Sequence, residues 1–196
     1  MEKKQDLRIT KTYMALTSAF FQMMEEMQFE KITVTELCDR AMIRKSTFYK
    51  HFADKYELFT FIIREAQVAF DEKSAGEVQS NEPIDFYKHL FSNVVDFADE
   101  NTRLIQSAID SNSLSIILNM LSEQIIPDVT GKLKEDKKRG HEMIASPEVI
   151  ASLFTGGLIE VIKRWILEKK PISKASLKGQ ISDLIIAVYT SANPAK

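Results

Sequence analysis

Apolar side chains recur at steps of three and four along almost all of this 196-residue chain, and that spacing fits helices rather than strands. Ile9, Tyr13, Leu16, Phe20, Met23 and Met27 form the first such row, one face of an amphipathic helix of about five turns. With 6 Gly and 5 Pro, the chain has too little turn chemistry to punctuate a β sandwich. Hydrophobic residues make up 44% and charged residues 28%, enough apolar surface to exclude disorder as the main description. Cys38 is the one cysteine, so no internal disulfide forms. No apolar run approaches the ~18 residues of a bilayer span. The opening Met1-Glu2-Lys3-Lys4-Gln5-Asp6 is polar and has no signal-peptide core behind it. The expectation is a cytoplasmic, all-α protein of about nine helices with no membrane partner.

Local signals divide these helices. Thr33 stands three residues before Glu36, the spacing of a capping box. Val34, Leu37, Cys38 and Ala41 then give a helix of about two turns. After an interruption at Met42-Ile43, a second short helix is expected from Arg44 to Phe52, with Phe48 and Phe52 one turn apart. Asp54 and Glu57 repeat the capping box ahead of a longer helix carrying Tyr56, Phe59, Ile63, Ala66 and Phe70. The stretch Lys73–Glu82 reads as a polar turn, so the domains are expected at 8–70 and 71–196. The second half reads as helices over Glu82–Ala98, Thr102–Asp110 and Ser113 to about Arg139, the last with Pro127 as a kink. A helix from Pro147 to Lys169 follows, with Ser146 as its N-cap, and then one from Ser173 to Thr190.

Two short helices over 33–52, braced on each side by a longer one, make a helix-turn-helix unit. Its second helix fits the major groove of B-DNA when its exposed face carries donors. That face offers Arg44, Lys45, Ser46, Thr47, Tyr49, Lys50 and His51, while Phe48 and Phe52 turn toward the core. From Arg44 to Lys55 four basic residues meet a single acid, Asp54. The chain as a whole is nearly balanced, with 26 Lys and Arg against 28 Asp and Glu, so this local cluster carries the argument and net charge does not.

Thr33 through Phe52, with its Thr47-Phe48-Tyr49-Lys50-His51-Phe52 segment, and the following Asp54-Lys55-Tyr56-Glu57-Leu58 resemble the DNA-binding signature of the TetR (TetR/AcrR) family of transcriptional regulators. The resemblance covers residues 8–70 well; beyond them it extends only to helix number and order. It implies that Thr33 and Thr35 lie at phosphates and that Lys45, Thr47, Tyr49 and His51 touch backbone or bases. Lys55 would reach a phosphate through its helix N-terminus and its ammonium, and Arg44 and Lys50 would read sequence. Met42 stands where the family usually has Gly; if that position needs positive φ, the cost is about 1 kcal/mol. Arg44 replaces a usual Ser and cannot accept an N-cap hydrogen bond, so Ser46 or a water must compensate.

Other chemistry finds no support. His51, His89 and His141 have no metal-ligand spacing, no phosphate loop or nucleophile elbow is present, and no catalytic residue, metal or cofactor is expected. Cys38 reads as a buried structural thiol. The second basic run (Lys132, Lys134, Lys137, Lys138, Arg139) encloses Glu135 and Asp136 and reads as a solvated helix end.

Of the 19 residues from Val149 to Leu167, 12 are apolar, more than one buried face requires. Paired with the last helix, this segment is expected to meet its copy in a homodimer through Val149, Leu153, Gly156, Gly157, Ile181, Leu184, Ile185 and Val188. The resemblance implies the same arrangement. Phe86, Phe91, Met120, Phe154 and Trp165 are candidate lining for the pocket of a small-molecule effector. The reading is a homodimeric regulator of double-stranded operator DNA, a repressor by the resemblance, with the helix from Asp54 as lever. An activator of the same family, or a helical ligand- or partner-binding module without DNA affinity, are the alternatives.

Overall fold

The computed structural model describes residues 7–78 and 82–190, apart from the side chains of 188–190. Among the described residues there are nine α-helices and no strand. They are α1 (Leu7–Glu26), α2 (Val34–Arg40), α3 (Lys45–Phe48), α4 (Lys55–Glu77) and α5 (Pro83–Glu100), then α6 (Thr102–Ile109), α7 (Leu114–Lys138), α8 (Pro147–Leu167) and α9 (Lys174–Thr190). A 3-10 turn, Phe29–Lys31, lies between α1 and α2. No helix among the described residues is long and apolar enough to cross a membrane.

Caps set most of these limits. Thr33 Oγ1 accepts from Glu36 N while the Glu36 carboxylate accepts from Thr33 N, the expected capping box. At α4 the second box is displaced by one residue. Asp54 Oδ1 accepts from Tyr56 N and Glu57 N, but the Glu57 carboxylate accepts from Ala53 N at 2.6 Å. Pro147 opens α8 behind Ser146, whose hydroxyl accepts from Val149 N.

Two elements depart from the sequence expectation. α3 ends at Phe48 rather than Phe52; Tyr49 caps it, and a turn in which His51 N and Phe52 N both donate to Phe48 O completes the segment. α4 continues past Phe70 to Glu77. Ser74 is fully buried there, donates back to Phe70 O and accepts from Asn93 Nδ2, which replaces the expected polar turn with packed helix. Ser80 and Asn81 lie outside the described residues. Pro127 lies inside α7, which runs unbroken from Leu114 to Lys138.

The chain forms two compact units, and they do not follow a single break at 70/71. Among the described residues, the first holds those up to Ile62 together with Arg103–Ile117; the second holds those of Ile63–Thr102 and those from Leu118 onward. Side chains far apart in sequence join the first unit. Gln28 Nε2 donates to Asp110 O, Ser107 Oγ donates to Met27 O, and Glu30 accepts from Ser111 Oγ and Asn112 N. Its core is aromatic: Phe20 stacks on Phe59 at 5.4 Å, with Phe29, Phe48 and Phe52 buried nearby in the same unit.

In the second unit, α5 and α9 lie along one another. Asp96 pairs with Lys174 and Lys178, and Asp99 with Lys170 and Lys174. Phe91 meets Phe154 edge to face, tying α5 to α8, and the Tyr87 hydroxyl donates to the buried Asp136 on α7 at 2.8 Å. Most of the second basic run is paired with acids: Lys132 with Asp71 and Asp128, Lys134 with Glu148, Lys138 with Glu135.

Candidate nucleic-acid interface

The helix-turn-helix face is built from its buried side outward. Leu37 and Cys38 on α2, Ala41 at its C-cap, and Phe48 and Phe52 around α3 are buried. That orientation leaves Arg44, Lys45, Ser46, Tyr49 and Lys50 exposed, with Thr47 and His51 half-exposed. Thr33 and Thr35 are exposed at the start of α2. The α1 end is tied to α2 by Arg40 and Glu26 at 2.7 Å, a bond that holds Glu26 below the usual carboxylate range.

The turn between α2 and α3 holds Met42 at φ 54°, the left-handed region expected where the family has glycine. Its side chain is 93% exposed and gains nothing from packing. Arg44 is the N-cap of α3 in extended conformation and its side chain makes no capping bond; Ser46 supplies none in its place among the described residues.

Lys55 departs from its expected role. Its Nζ donates to the carbonyl oxygens of Phe29 at 2.9 Å, Glu30 at 3.0 Å and Ile32 at 2.9 Å. An ammonium has three donors, and all three are used. It also lies 4.8 Å from the centre of the Phe29 ring, and burial pushes its pKa below the usual lysine value. Its ammonium is therefore turned inward onto the 29–32 turn, which corrects the phosphate contact expected of it.

Sequence reading also missed Tyr13. Its position on α1 was legible as part of an apolar row, but its hydroxyl lies 3.3 Å from His51 Nδ1. Only the pairing of α1 with the turn after α3 reveals that.

On α8 and α9 the predicted dimer residues separate into two sets. Val149, Leu153, Gly156, Gly157 and Leu184 are exposed, and the space beside both glycines is open. Ile181 and Ile185 are buried in the protomer's own core, a correction that follows from α9 packing on α5. The Val188 side chain lies outside the described residues.

A cavity in the second unit is lined by Tyr87, Phe91, Val129, Leu133, Ile150, Phe154 and Ile185 and has a volume of about 20 Å³, room for one water molecule. Phe91 and Phe154, two of the five candidate lining residues, border it. Phe86, Met120 and Trp165 do not; the Trp165 indole instead donates to Ile172 O in the α8–α9 turn.

The first unit thus has the architecture of a helix-turn-helix DNA-binding domain, followed by a helical C-terminal region. Residues 16–60 match the family model described as bacterial regulatory proteins, tetR family, and residues 87–187 match that of a TetR transcriptional regulator C-terminal region. The chain belongs to the TetR family of transcriptional regulators. It is 38% identical over 64 residues to the uncharacterized HTH-type transcriptional regulator YxbF of Bacillus subtilis. That match covers 32% of this chain and 17% of the relative, so the chain matches under a fifth of that curated relative's length. Among solved structures it is similar to a chain titled as a TetR-family regulator from Syntrophomonas wolfei (TM-score 0.71, 11% identity, covering 91% of this chain and 94% of that one). It is also similar to the fatty acid degradation regulator FadR from Bacillus halodurans (TM-score 0.67, 16% identity, 89% and 97% covered).

Proposed function

We propose that the chain is a homodimeric, effector-responsive repressor that binds a near-palindromic operator. The observation that carries this reading is the division of the 33–52 segment. Phe48 and Phe52 anchor it inside, while Arg44, Lys45, Ser46, Tyr49 and Lys50 stand together outside with no acid among them. Arg44 and Lys50 read base edges, since both project from the exposed side and arginine pairs bidentately with guanine. Lys45, Ser46, Thr47, Tyr49, His51 and the α2 start at Thr33 and Thr35 hold phosphates. At the start of α4 the Lys55 ammonium is occupied, and the N–H groups of Tyr56 and Glu57 donate to Asp54, so the phosphate contacts rest on the residues around α3 and the start of α2.

Dimerisation uses the exposed apolar stripe of α8 with Leu184 of α9, which a monomer would leave wet. The dimer presents two α3 segments about 34–36 Å apart, one turn of B-DNA. An effector entering the helical C-terminal region represses or releases only through its unequal affinity for two dimer states. The cavity is small, so an effector must first part Phe91 from Phe154. The test is a gel shift with fragments of the source genome across a salt series. Binding that weakens steeply with salt supports the reading, because phosphate contacts release counterions. No retention of any duplex at low salt defeats it.

A further inference from the structure

Tyr13 and His51 come from different elements. The Tyr13 hydroxyl lies 3.3 Å from His51 Nδ1, and the two rings meet edge to face with centres 5.3 Å apart. The Tyr13 ring also packs against Phe52 at 5.5 Å and Phe61 at 4.6 Å, so the aromatic core fixes where its hydroxyl points. Nothing in the proposed DNA contact set uses Tyr13. We infer that Tyr13 is a positioning residue: its hydroxyl selects the His51 tautomer whose proton is on Nε2, and so makes His51 a donor to a phosphate of duplex DNA. The inference rests on the reading of His51 as a DNA contact.

The chemistry is one of proton placement. A neutral imidazole carries one N–H and one bare nitrogen. Facing Nδ1, the phenol either donates its O–H to a bare nitrogen or accepts from Nδ1–H. The bare ring nitrogen is much the more basic acceptor, so the stronger bond has the phenol donating. The ring proton then sits on Nε2, on the far side of the ring from Tyr13. A phosphate oxygen only accepts, so it needs that proton; the opposite tautomer would turn a lone pair toward it. A hydroxyl on α1 thereby decides whether the contact made beyond α3 attracts or repels.

A duplex selected from a random-sequence pool by the wild-type protein serves as the probe. Affinity is measured for wild type, Tyr13→Phe, His51→Gln and the double variant. Nitrogen-15 NMR of the His51 ring, at a mildly alkaline pH where imidazole is neutral, reports the tautomer. Expected are an Nε2–H ring in the wild type, loss of that preference in Tyr13→Phe, and roughly three- to ten-fold weaker binding, the scale of one hydrogen bond. The Gln amide places a donor near Nε2 without a tautomer to choose. His51→Gln therefore sets its own baseline affinity, and adding Tyr13→Phe to it should change nothing further. An Nδ1–H ring in the wild type overturns the inference. So does Tyr13→Phe binding as wild type, or the same loss appearing in the His51→Gln background. If the wild type selects no duplex, the proposed function fails instead, whereas selection with a silent Tyr13→Phe defeats only the present inference.

Discussion

The Lys55 ammonium donates to the Ile32 carbonyl at 2.9 Å, across 23 positions of sequence, and to Phe29 and Glu30 beside it. The start of α4 is thereby fastened to the turn that leads into α2. The three carbonyls belong to the 3-10 turn and its C-cap; that of Phe29 also accepts from Ile32 N, so the ammonium adds a second bond to it.

Lys55→Ala should therefore act first on stability. Losing a charged donor to three carbonyls is expected to destabilise by about 1–3 kcal/mol, with the part-exposed site at the lower end. Chemical denaturation measures this. Lys55→Ala with wild-type stability and uniformly weaker DNA binding would return the ammonium to a direct phosphate role.

Met42 holds φ 54° with its side chain in water. The left-handed conformation costs about 1–2 kcal/mol for a residue with a Cβ, and glycine recovers it less some unfolded-chain entropy. Met42→Gly should stabilise by about 0.5–1 kcal/mol, whereas Met42→Ala should change little because the Cβ remains. Thermal melts of the two variants decide it. Equal effects would show that the turn stores no Cβ strain.

What sequence revealed was what local chemistry encodes. Thr33 and Glu36, or Ser146 and Pro147, sit within one turn of each other, and their spacing alone states a helix start. The helix-turn-helix face was legible for the same reason, since Phe48 and Phe52 fix which side is inside. Contacts between distant segments were not legible. Nothing local joins Glu30 to Ser111, 81 positions away, and so 103–117 was not expected in the first unit. Apolar periodicity also cannot say which apolar face meets the protomer's own core, which is why Ile185 and Leu184 were placed together.

Glu30 provides a pH test. Hydrogen bonds from Ser111 above all, and from Asn112, lower its pKa from 4.5 to about 2. The folded state thus favours the carboxylate, so the contribution is complete above about pH 4.5 and is lost as pH falls toward 2. Glu30→Gln should separate from wild type in urea midpoint near neutrality, and the gap should shrink steadily below about pH 4.5. A gap independent of pH would remove the charge from the explanation.

Leu184 and Ile185 are neighbours with opposite surroundings, 62% and 3% exposed. If α8 and α9 meet a second copy, Leu184 faces that copy while Ile185 belongs to the protomer's core and cavity wall. Leu184→Arg should then leave a folded monomer in sedimentation, with helical signal retained and operator affinity reduced, because two coupled half-sites become one. Leu153→Arg on α8 should do the same, since it is 68% exposed on the same proposed face. Ile185→Ala should do the reverse, costing about 2–4 kcal/mol of stability while leaving association of the folded protein intact. A dimer that survives both arginine substitutions would place the interface elsewhere.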